Sequence, residues 1–325
     1  MPVFYIVYLC LTKIKTNNMK YLFSLLLFFS FSLSALEISA ECYTGAFLAD
    51  IPLKEDILKF KKDYGKKPLF IMVFIDWFHF PPKEVMKAIY EQDCLMMLTW
   101  EPWIAIDRRG IKVEEVLNGK YDDYIKNFAA SLKEINKTVF LRFGHEMNGN
   151  WYPWSGVKIG AEKYRALYCY LKDFFDKEKV TNVKWVFSVN FESIPPKDNH
   201  FSRYYPGDTY VDYIGLDGYN WGDTQAWSKW KNFSEIFNSV YNEVIEKYEQ
   251  PLIITEFSSA VNGGDKTEWI KEAMETIKQL KKVKAFILFN TDKEVKWSFP
   301  ANSEYGKEFK EQLKDPYFKD DEFKS

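Results

Sequence analysis

The sequence is poor in the residues on which metal and disulfide chemistry depend. Its 325 residues include three histidines and four cysteines, and the cysteines form no CxxC pair. Metal-ligand spacing is therefore absent, and we expect no bound metal. Cys10 falls in a segment that we interpret below as a leader, so at most one internal disulfide is possible. We interpret Cys94 and Cys169 as buried free thiols.

A strong charge of either sign is also lacking. The chain carries 44 basic and 46 acidic residues, a net charge of -2, which gives no electrostatic footprint for nucleic acid. Neither a GxGxxG motif nor a P-loop follows the first apolar run, which argues against a nucleotide-binding fold. We expect no organic cofactor.

The chain shows no linker rich in proline, glycine or serine, and no internal repeat, so we divide it only at its beginning. Residues 1–40 predict a leader. Their uncharged apolar stretch from Tyr21 to Ala35 is shorter than the ~20 residues of a bilayer span and is typical of a signal peptide. Our hypothesis is that translation starts at Met19. An uncleaved membrane anchor is the alternative. Residues 41–325 then form one catalytic-sized domain, secreted, periplasmic or at the cell surface, with no stable membrane span after cleavage.

From residue 41 onward, short apolar runs alternate with amphipathic segments. The predicted strands are Tyr43–Phe47, Leu69–Asp76, Leu95–Trp100, Thr138–Phe143, Val183–Ser188, Val211–Asp217, Leu252–Glu256 and Ala285–Asn290. The predicted helices are Lys54–Lys62, Pro82–Gln92, Tyr121–Lys137, Ala161–Lys177, Ser234–Tyr248, Lys266–Lys282 and Ser303–Leu313. This alternation indicates an α/β fold with a parallel sheet, and eight units in this length favour a closed (β/α)8 TIM barrel over a doubly wound open sheet. The charged tail from Asp315 is expected at the surface.

Carboxylates, amides and indoles recur where the predicted strands end. In a (β/α)8 barrel these carboxyl ends converge on one face and carry the chemistry. Glu146 follows strand four and Glu256 ends strand seven, across the barrel mouth. Two carboxyl groups flanking one bond are the requirement of glycoside hydrolysis. The aromatic content of 18% also suits a sugar-binding cleft, although composition alone does not separate cleft from core.

The neighbours of the two glutamates predict different pKa values. His145, Trp151 and Trp154 surround Glu146 in sequence, and desolvation there should raise its pKa. Glu256 should stay ionised if donors such as Tyr219 and Arg142 reach it.

Three stretches carry a more specific signal: GHEMNGNWYPW (144–154), GLDGYNW (215–221) and PLIITEF (251–257). Together they resemble glycoside hydrolase family 26, a retaining (β/α)8 family of clan A with β-mannanases, mixed-linkage β-glucanases and some xylanases. The resemblance covers nearly all of the chain after the leader. It implies that Glu146 is the acid/base and Glu256 the nucleophile.

The same resemblance implies roles around the two carboxylates. His145 would line the site, and Trp151 would border the leaving-group side. Asp217 and Tyr219 would line the glycone site, with the Tyr219 hydroxyl donating to Glu256. Trp297 would be the platform beneath the reacting sugar.

Three further residues are candidates for substrate binding. Asn190 lies at the end of strand five. Arg142 is equally well explained as an ion pair inside the barrel, and Trp100 equally well as a core residue.

We therefore predict a retaining endo-β-glycanase, a monomer that cuts β-1,4-linked mannan-type polysaccharide by double displacement. Tyr152-Pro153-Trp154 and Ser298 depart from the usual mannanase pattern. They keep open the alternative of a mixed-linkage β-1,3-1,4-glucanase (lichenase) or another β-glucanase. A non-catalytic carbohydrate-binding barrel is the alternative from another class.

Overall fold

The computed structural model describes residues 41–324, and the predicted leader with its start at Met19 lies outside them. Eight parallel strands form the barrel. They are β1 (Gly45–Phe47), β2 (Phe70–Asp76), β3 (Leu95–Glu101), β4 (Val139–Phe143), β5 (Val183–Asn190), β6 (Tyr213–Asn220), β7 (Leu252–Ser259) and β8 (Val283–Phe289). Each strand pairs with its neighbour in order, and β8 pairs with both β7 and β1, which closes the sheet. The predicted (β/α)8 barrel is confirmed.

Helices connect the strands on the outside of the barrel. They are α1 (Lys54–Tyr64), α2 (Lys83–Tyr90), α3 (Val113–Leu117), α4 (Asp122–Ile135), α5 (Gly156–Ile159), α6 (Ala161–Lys177), α7 (Phe233–Lys247), α8 (Lys266–Ile277) and α9 (Glu304–Gln312). Between β5 and β6 the chain makes only two 3-10 turns, Phe201–Tyr204 and Asp208–Tyr210. None of the helices in residues 41–324 has the length and apolarity needed to cross a bilayer.

The apolar residues of each strand divide between two cores because successive side chains point to opposite faces of the sheet. In β4, Val139 and Leu141 join the large core between strands and helices, whereas Phe140 joins the smaller core inside the barrel. Arg142 continues the inward series and is fully buried. The period of two therefore places a guanidinium inside the barrel, beneath the mouth.

The strands differ from the sequence prediction mainly at their ends. Predicted strand one is interrupted at Thr44, so that Cys42–Tyr43 and Gly45–Phe47 are separate short strands. Strands β6 and β7 continue three residues beyond their predicted ends at Asp217 and Glu256. The polar residues that suggested strand ends are inward-facing members of the strands.

The amino-terminal end of the barrel is closed by the tail that was expected at the surface. Phe318–Lys319 adds a parallel strand beside Cys42–Tyr43. The ring of Phe323 packs against the rings of Tyr43, Phe70 and Phe140, with centroid distances of 4.9, 5.2 and 5.6 Å. The charged residues of the tail are exposed or partly exposed, as expected, whereas Phe318 is buried against the barrel.

The cysteines of the described chain are free thiols. Cys42 and Cys94 are buried, and Cys169 is only partly buried, contrary to the expectation for that residue. Burial raises the pKa of the Cys94 thiol to about 12, which keeps it protonated.

Candidate active site

Glu146 lies on a tight turn directly after β4. Gly144 and Glu146 both adopt left-handed backbone conformations, with φ of 55° and 51°. This conformation costs a residue with a Cβ about 1–2 kcal/mol. The Glu146 amide donates to the carbonyl of Ser188 on β5 at 3.0 Å, which fixes the turn against the barrel rim. Strain of this kind in a residue other than glycine is typical of functional sites.

The Glu146 carboxylate is buried and is held by two neutral donors. Oε1 accepts from Asn190 Nδ2 at 2.8 Å, and Oε2 accepts from the Trp151 indole at 2.9 Å. Burial, followed by the negative charges of Asp217 and Glu256, raises the pKa of Glu146 to about 8, against the opposing hydrogen bond from Asn190. Glu146 is therefore largely protonated at neutral pH, as the sequence analysis predicted for its indole-rich surroundings.

Glu256 faces the barrel mouth because β7 contains an irregularity. The pairing of β7 with β6 matches Ile254 to Leu216 and then Glu256 to Asp217, which leaves Thr255 as an extra residue. A bulge of this kind lets two consecutive side chains face the same side of a sheet. Thr255 and Glu256 both bond to groups inside the barrel, whereas Ile254 and Phe257 join the outer core.

The Glu256 carboxylate is as buried as that of Glu146, but its donors differ. Oε1 accepts from Arg142 Nη2 at 2.6 Å, and Oε2 accepts a short hydrogen bond from the Tyr219 hydroxyl. Burial raises the pKa of Glu256, but the Arg142 charge and the Tyr219 and Arg142 hydrogen bonds pull it back. Because only Glu256 touches a cation, it gives up its proton before Glu146 does.

A buried polar layer beneath the two glutamates fixes Arg142. Its Nη2 also donates to Asp217 Oδ2 at 2.7 Å, and Nη1 donates to Thr99 at 3.0 Å. Asp217 accepts from Ser188 at 2.8 Å and from Thr255 at 2.6 Å. Both carboxylate oxygens of Asp217 are thus bonded to protein, and the layer keeps the Arg142 charge beneath the Glu256 carboxylate, buried from water.

A second network fixes the loop that carries Glu146. Asn148 Nδ2 donates to the carbonyl of Asn190 at 2.8 Å, and its Oδ1 accepts from the Asn190 amide at 2.9 Å. Asn199 Nδ2 donates to the carbonyls of Asn148 and Gly149 at 2.6 and 2.9 Å. These amides tie the loops after β4 and β5 together, which keeps the Asn190 side chain aimed at Glu146.

Several candidates from the sequence meet at these carboxylates. Tyr219 and Arg142 contact Glu256, whereas Asn190 and Trp151 contact Glu146. Trp151 is 41% exposed, so its ring borders open space beside Glu146. Arg142 fits the ion-pair reading of the sequence, because both of its carboxylate partners are inside the barrel.

Four candidates are not placed as substrate contacts. Asp217 is fully buried in the polar layer. Trp100 is also buried, stacked on Trp77 and Phe128 at 4.8 and 4.1 Å between centroids, and thus belongs to the core.

The other two are His145 and Trp297, each 1% exposed. His145 lies behind Tyr152, whose hydroxyl is 3.1 Å from its Nε2, and burial followed by the Arg142 charge holds its pKa well below the usual range. The ring of Trp297 is covered by neighbours that include Tyr219 and Trp221, so in this conformation it offers no open platform to a sugar.

Glu101 is a further carboxyl group near the site that was not among the predicted site residues. Glu101 ends β3 and accepts from the Trp103 indole at 3.1 Å. Burial raises its pKa to about 7, opposed by that hydrogen bond and by the Arg142 charge. Glu101 thus lies in the electrostatic field of Glu256, and its place at the end of a strand was the signal in the sequence that could have identified it.

The arrangement can supply one proton donor and one anionic nucleophile to a single bond. A carboxyl with a pKa near 8 beside a carboxylate paired with arginine is the asymmetry that general acid and nucleophilic roles require. Within residues 41–324, no cluster of three or more histidine, cysteine, aspartate or glutamate side chains is arranged to hold a metal ion.

Known proteins are similar to this chain in sequence and in fold. A family model described as glycosyl hydrolase family 26 matches residues 90–305. Endoglucanase H of Acetivibrio thermocellus is 36% identical over 269 residues, which are 80% of this chain and 29% of that protein. A mannan endo-1,4-beta-mannosidase of Bacillus subtilis strain 168 is 25% identical, covering 43% of this chain and 46% of that protein. The chain thus spans less than a third of the length of the first of these relatives.

Solved structures agree on the fold. The catalytic domain of an endo-beta-1,4-mannanase from Bacillus sp. JAMB-750 superposes with a TM-score of 0.65 at 20% identity, covering 86% of this chain and 87% of that one. The YdhT protein from Bacillus subtilis gives a TM-score of 0.62 at 17% identity, with coverage of 86% and 87%. The family model matches residues 90–305, and the barrel carries carboxylates at its mouth after β4 and on β7. The chain therefore belongs to glycosyl hydrolase family 26.

Proposed function

We propose that the chain is a retaining endo-β-glycanase that hydrolyses β-1,4-linked mannan-type polysaccharide by double displacement. The observation that carries this proposal is the pair of buried glutamates with unequal donors. Glu146, which receives bonds only from an amide and an indole, is the acid/base. Glu256, which receives bonds from a guanidinium and a phenol, is the nucleophile.

Each residue has a defined task in the two steps. A Glu256 oxygen attacks the anomeric carbon, the glycosidic bond breaks, and the proton of Glu146 passes to the departing oxygen. The product is a glycosyl ester on Glu256. Water then attacks the same carbon, Glu146 takes its proton, and Glu256 leaves as a carboxylate. Arg142 and Tyr219 hold the carboxylate in its attacking position in the first step and stabilise it as a leaving group in the second.

The substrate class rests on the relatives. Several of them are named mannan endo-1,4-beta-mannosidases, and a mannanase catalytic domain shares the fold. A β-glucan is the second candidate, and it is favoured by the 36% identity to Endoglucanase H across 80% of this chain. Tyr152-Pro153-Trp154 lies behind the Glu146 turn, with the Tyr152 and Trp154 rings stacked at 4.2 Å, and this departure from the mannanase pattern agrees with that second candidate.

A hydrolysis panel tests the proposal. Galactomannan, glucomannan, lichenan and xylan are incubated with the wild-type protein and with Glu256→Ala. We expect cleavage of the mannans, release of several oligosaccharide lengths at early times, and retention of the β-anomer in NMR spectra. Cleavage of lichenan alone would replace mannan by mixed-linkage glucan. Binding without cleavage of any polymer would favour the non-catalytic barrel.

The location and assembly of the protein are further parts of the proposal. The apolar leader of residues 1–40 supports export to the periplasm, cell surface or medium. We expect a monomer that acts on a polysaccharide. Amino-terminal sequencing of the exported product and size-exclusion chromatography with light scattering test these two points, and a mature protein that begins before Met19 would contradict the proposed start.

A further inference from the structure

The loop after β6 presents an indole that the proposed chemistry does not use. Of the eleven tryptophans in the sequence, all of which are described, Trp227 has the largest exposed fraction, 71%. Leaving a ring of this size in water forgoes a stabilisation of roughly 1.5–3 kcal/mol. Binding residues are found disproportionately on loops, so this exposed ring is a candidate for contact with a ligand.

The loop that carries Trp227 is held in place at several points. Thr224 Oγ1 donates to the carbonyl of Trp221 at 2.7 Å, and Ser228 Oγ donates to the carbonyl of Gly222 at 2.8 Å. Gly222 itself has a φ of 55°, and a Cβ there would lie 1.8 Å from the carbonyl oxygen of Asn262. The loops after β6 and β7 therefore interlock, and the exposed ring sits on a fixed base.

A continuous series of ring contacts connects Trp227 to the proposed nucleophile. The Trp227 ring contacts Trp221 at 5.4 Å between centroids, and Trp221 contacts Trp297 at 4.8 Å. Trp297 contacts Tyr219 at 4.9 Å, and Tyr219 donates to Glu256. Trp227 thus lies three ring contacts from Tyr219, at the outer end of an aromatic wall.

The position of this wall decides which part of a polymer it faces. Trp151 bonds to Glu146, whose proton goes to the departing sugar, so Trp151 marks the leaving-group side. The aromatic wall starts at the opposite carboxylate, Glu256, to which the retained sugar becomes attached. Trp227 therefore belongs to the side of the retained sugars, beyond the residue under attack.

We infer that Trp227 forms a distal subsite that binds a hexopyranose unit of the retained part of the polysaccharide by stacking on its apolar ring face. The inference rests on the proposed function and deepens it. A flat aromatic surface matches the C–H face of a pyranose, and a fixed ring pays little entropy on binding. The subsite adds affinity for long chains and leaves the bond-breaking groups unchanged.

The test compares substrates that reach Trp227 with substrates that do not. For Trp227→Ala we expect kcat/KM on glucomannan or lichenan to fall about tenfold, mainly through KM, as the loss of one aromatic contact implies. Hydrolysis of a dinitrophenyl disaccharide, which fills only the positions next to the cleaved bond, stays within about twofold. Trp227→Phe, which keeps an aromatic face, restores most of the loss on the polymer. Leu58→Ala, which trims an exposed apolar side chain on α1, is the control and changes neither substrate.

Two outcomes overturn the inference: equal losses on the polymer and the disaccharide, which indicate a structural role, or no loss on either. A second measurement separates this failure from failure of the proposed function. Affinity electrophoresis in gels containing glucomannan or lichenan measures how strongly each polymer retards two variants: Glu256→Ala alone and Glu256→Ala combined with Trp227→Ala. Weaker retention on Trp227→Ala supports the subsite even if the wild-type protein cleaves no polymer, and unchanged retention contradicts it.

Discussion

The surroundings of Glu146 and Glu256 differ in their donors and not in their depth. Each residue is 6% exposed, and burial is the largest cause that raises the pKa of both. Glu146 accepts hydrogen bonds from an amide and an indole, whereas Glu256 accepts them from a guanidinium and a phenol. Two identical residues at the same depth thereby differ in how firmly they hold a proton, because only Glu256 has a cation in contact, and that cation lowers its pKa.

The backbones beneath the two residues differ as well. Glu146 follows its strand on a left-handed turn, whereas Glu256 lies within a strand at a bulge. The proposed acid/base is therefore on a loop. The proposed nucleophile is on the sheet, where neighbouring strands fix its position.

Removing each carboxylate in turn is the most direct way to break this comparison. We expect Glu256→Ala to lose at least about 10^4-fold in kcat on every substrate, because no other group attacks the anomeric carbon. Glu146→Ala should lose about 10^2–10^4-fold on polysaccharide but far less in the first step on dinitrophenyl glycosides, whose leaving group needs no proton. Steady-state and burst kinetics measure both effects, with Glu84→Ala on α2 as the control. Equal losses of Glu146→Ala on both substrate types would contradict its role as the acid.

Replacing Arg142 by methionine tests the cation that separates the two carboxylates. Glu256 and Asp217 would remain buried without their partner, and we expect the free energy of unfolding to fall by about 3–5 kcal/mol. The pKa of Glu256 should rise, so the acidic limb of the pH–activity profile moves to higher pH. Urea denaturation and pH profiles measure the two effects, and Arg142→Lys should recover part of each. Unchanged stability of Arg142→Met would show that the buried charges are not coupled as described.

Tyr219→Phe removes a single donor from Glu256. A hydrogen bond to a charged group contributes about 1.5–3 kcal/mol, so we expect kcat/KM to fall about 10- to 100-fold. The acidic limb should again move to higher pH, because the lost bond favoured the ionised form. Tyr205→Phe, which removes a hydroxyl bonded to Asp208 away from the site, is the matched control. A loss of stability without a shift of the acidic limb would assign Tyr219 to packing alone.

The alkaline limb of the pH–activity profile tests the protonation of Glu146. In its proposed role as the acid, Glu146 must be protonated, so we expect activity to decline as the pH rises through its pKa of about 8. Asn190→Ala removes a bond that lowers the pKa of Glu146, and we expect the limb to move up by about one pH unit, equivalent to ~1.4 kcal/mol. Profiles of kcat/KM in the free enzyme measure the shift. A limb that moves down or stays in place would contradict the assignment.

The smallest expected effect concerns stability. The pKa of Glu146 is higher in the folded than in the unfolded chain, so the folded state binds more protons and stability falls as the pH rises from about 4.5 to about 8. Glu146→Gln removes this penalty, and we expect its melting temperature at pH 8 to exceed that of the wild type by a few degrees. Thermal unfolding at several pH values measures the difference, which should vanish below pH 4.5. A constant difference at all pH values would point to packing instead.

Local sequence patterns predicted the barrel and the glutamate pair. Alternating apolar runs and amphipathic segments specify βαβ units, and GHEMNGNW places Glu146 after β4. The bulge at Thr255 was not predictable, because it depends on how β7 pairs with β6. The same holds for the burial of His145 and Trp297, which is produced by residues of other loops.

Hydrogen-bond partners were predictable only where sequence motifs suggested them. Tyr219 and Arg142 were expected near Glu256, and both reach it. The amides of Asn148 and Asn199, which link the loops after β4 and β5, are far apart in sequence and carried no such signal. The strands and their inward-facing residues could be predicted from local sequence patterns. The contacts between loops could not, because they join residues that are distant in the sequence.

The strand formed by Phe318–Lys319 beside Cys42–Tyr43 has a practical consequence for how the barrel can be attached. Both ends of the described domain lie at the rim of the barrel where the strands begin. Glu146 and Glu256 lie at the opposite rim, where the strands end. Strands of seven or eight residues, each about 23–27 Å long, run between the two rims. A linker, a fused module or a solid support joined at either end therefore stays clear of an incoming polymer, and the proximity of the ends also suits the domain to circular permutation.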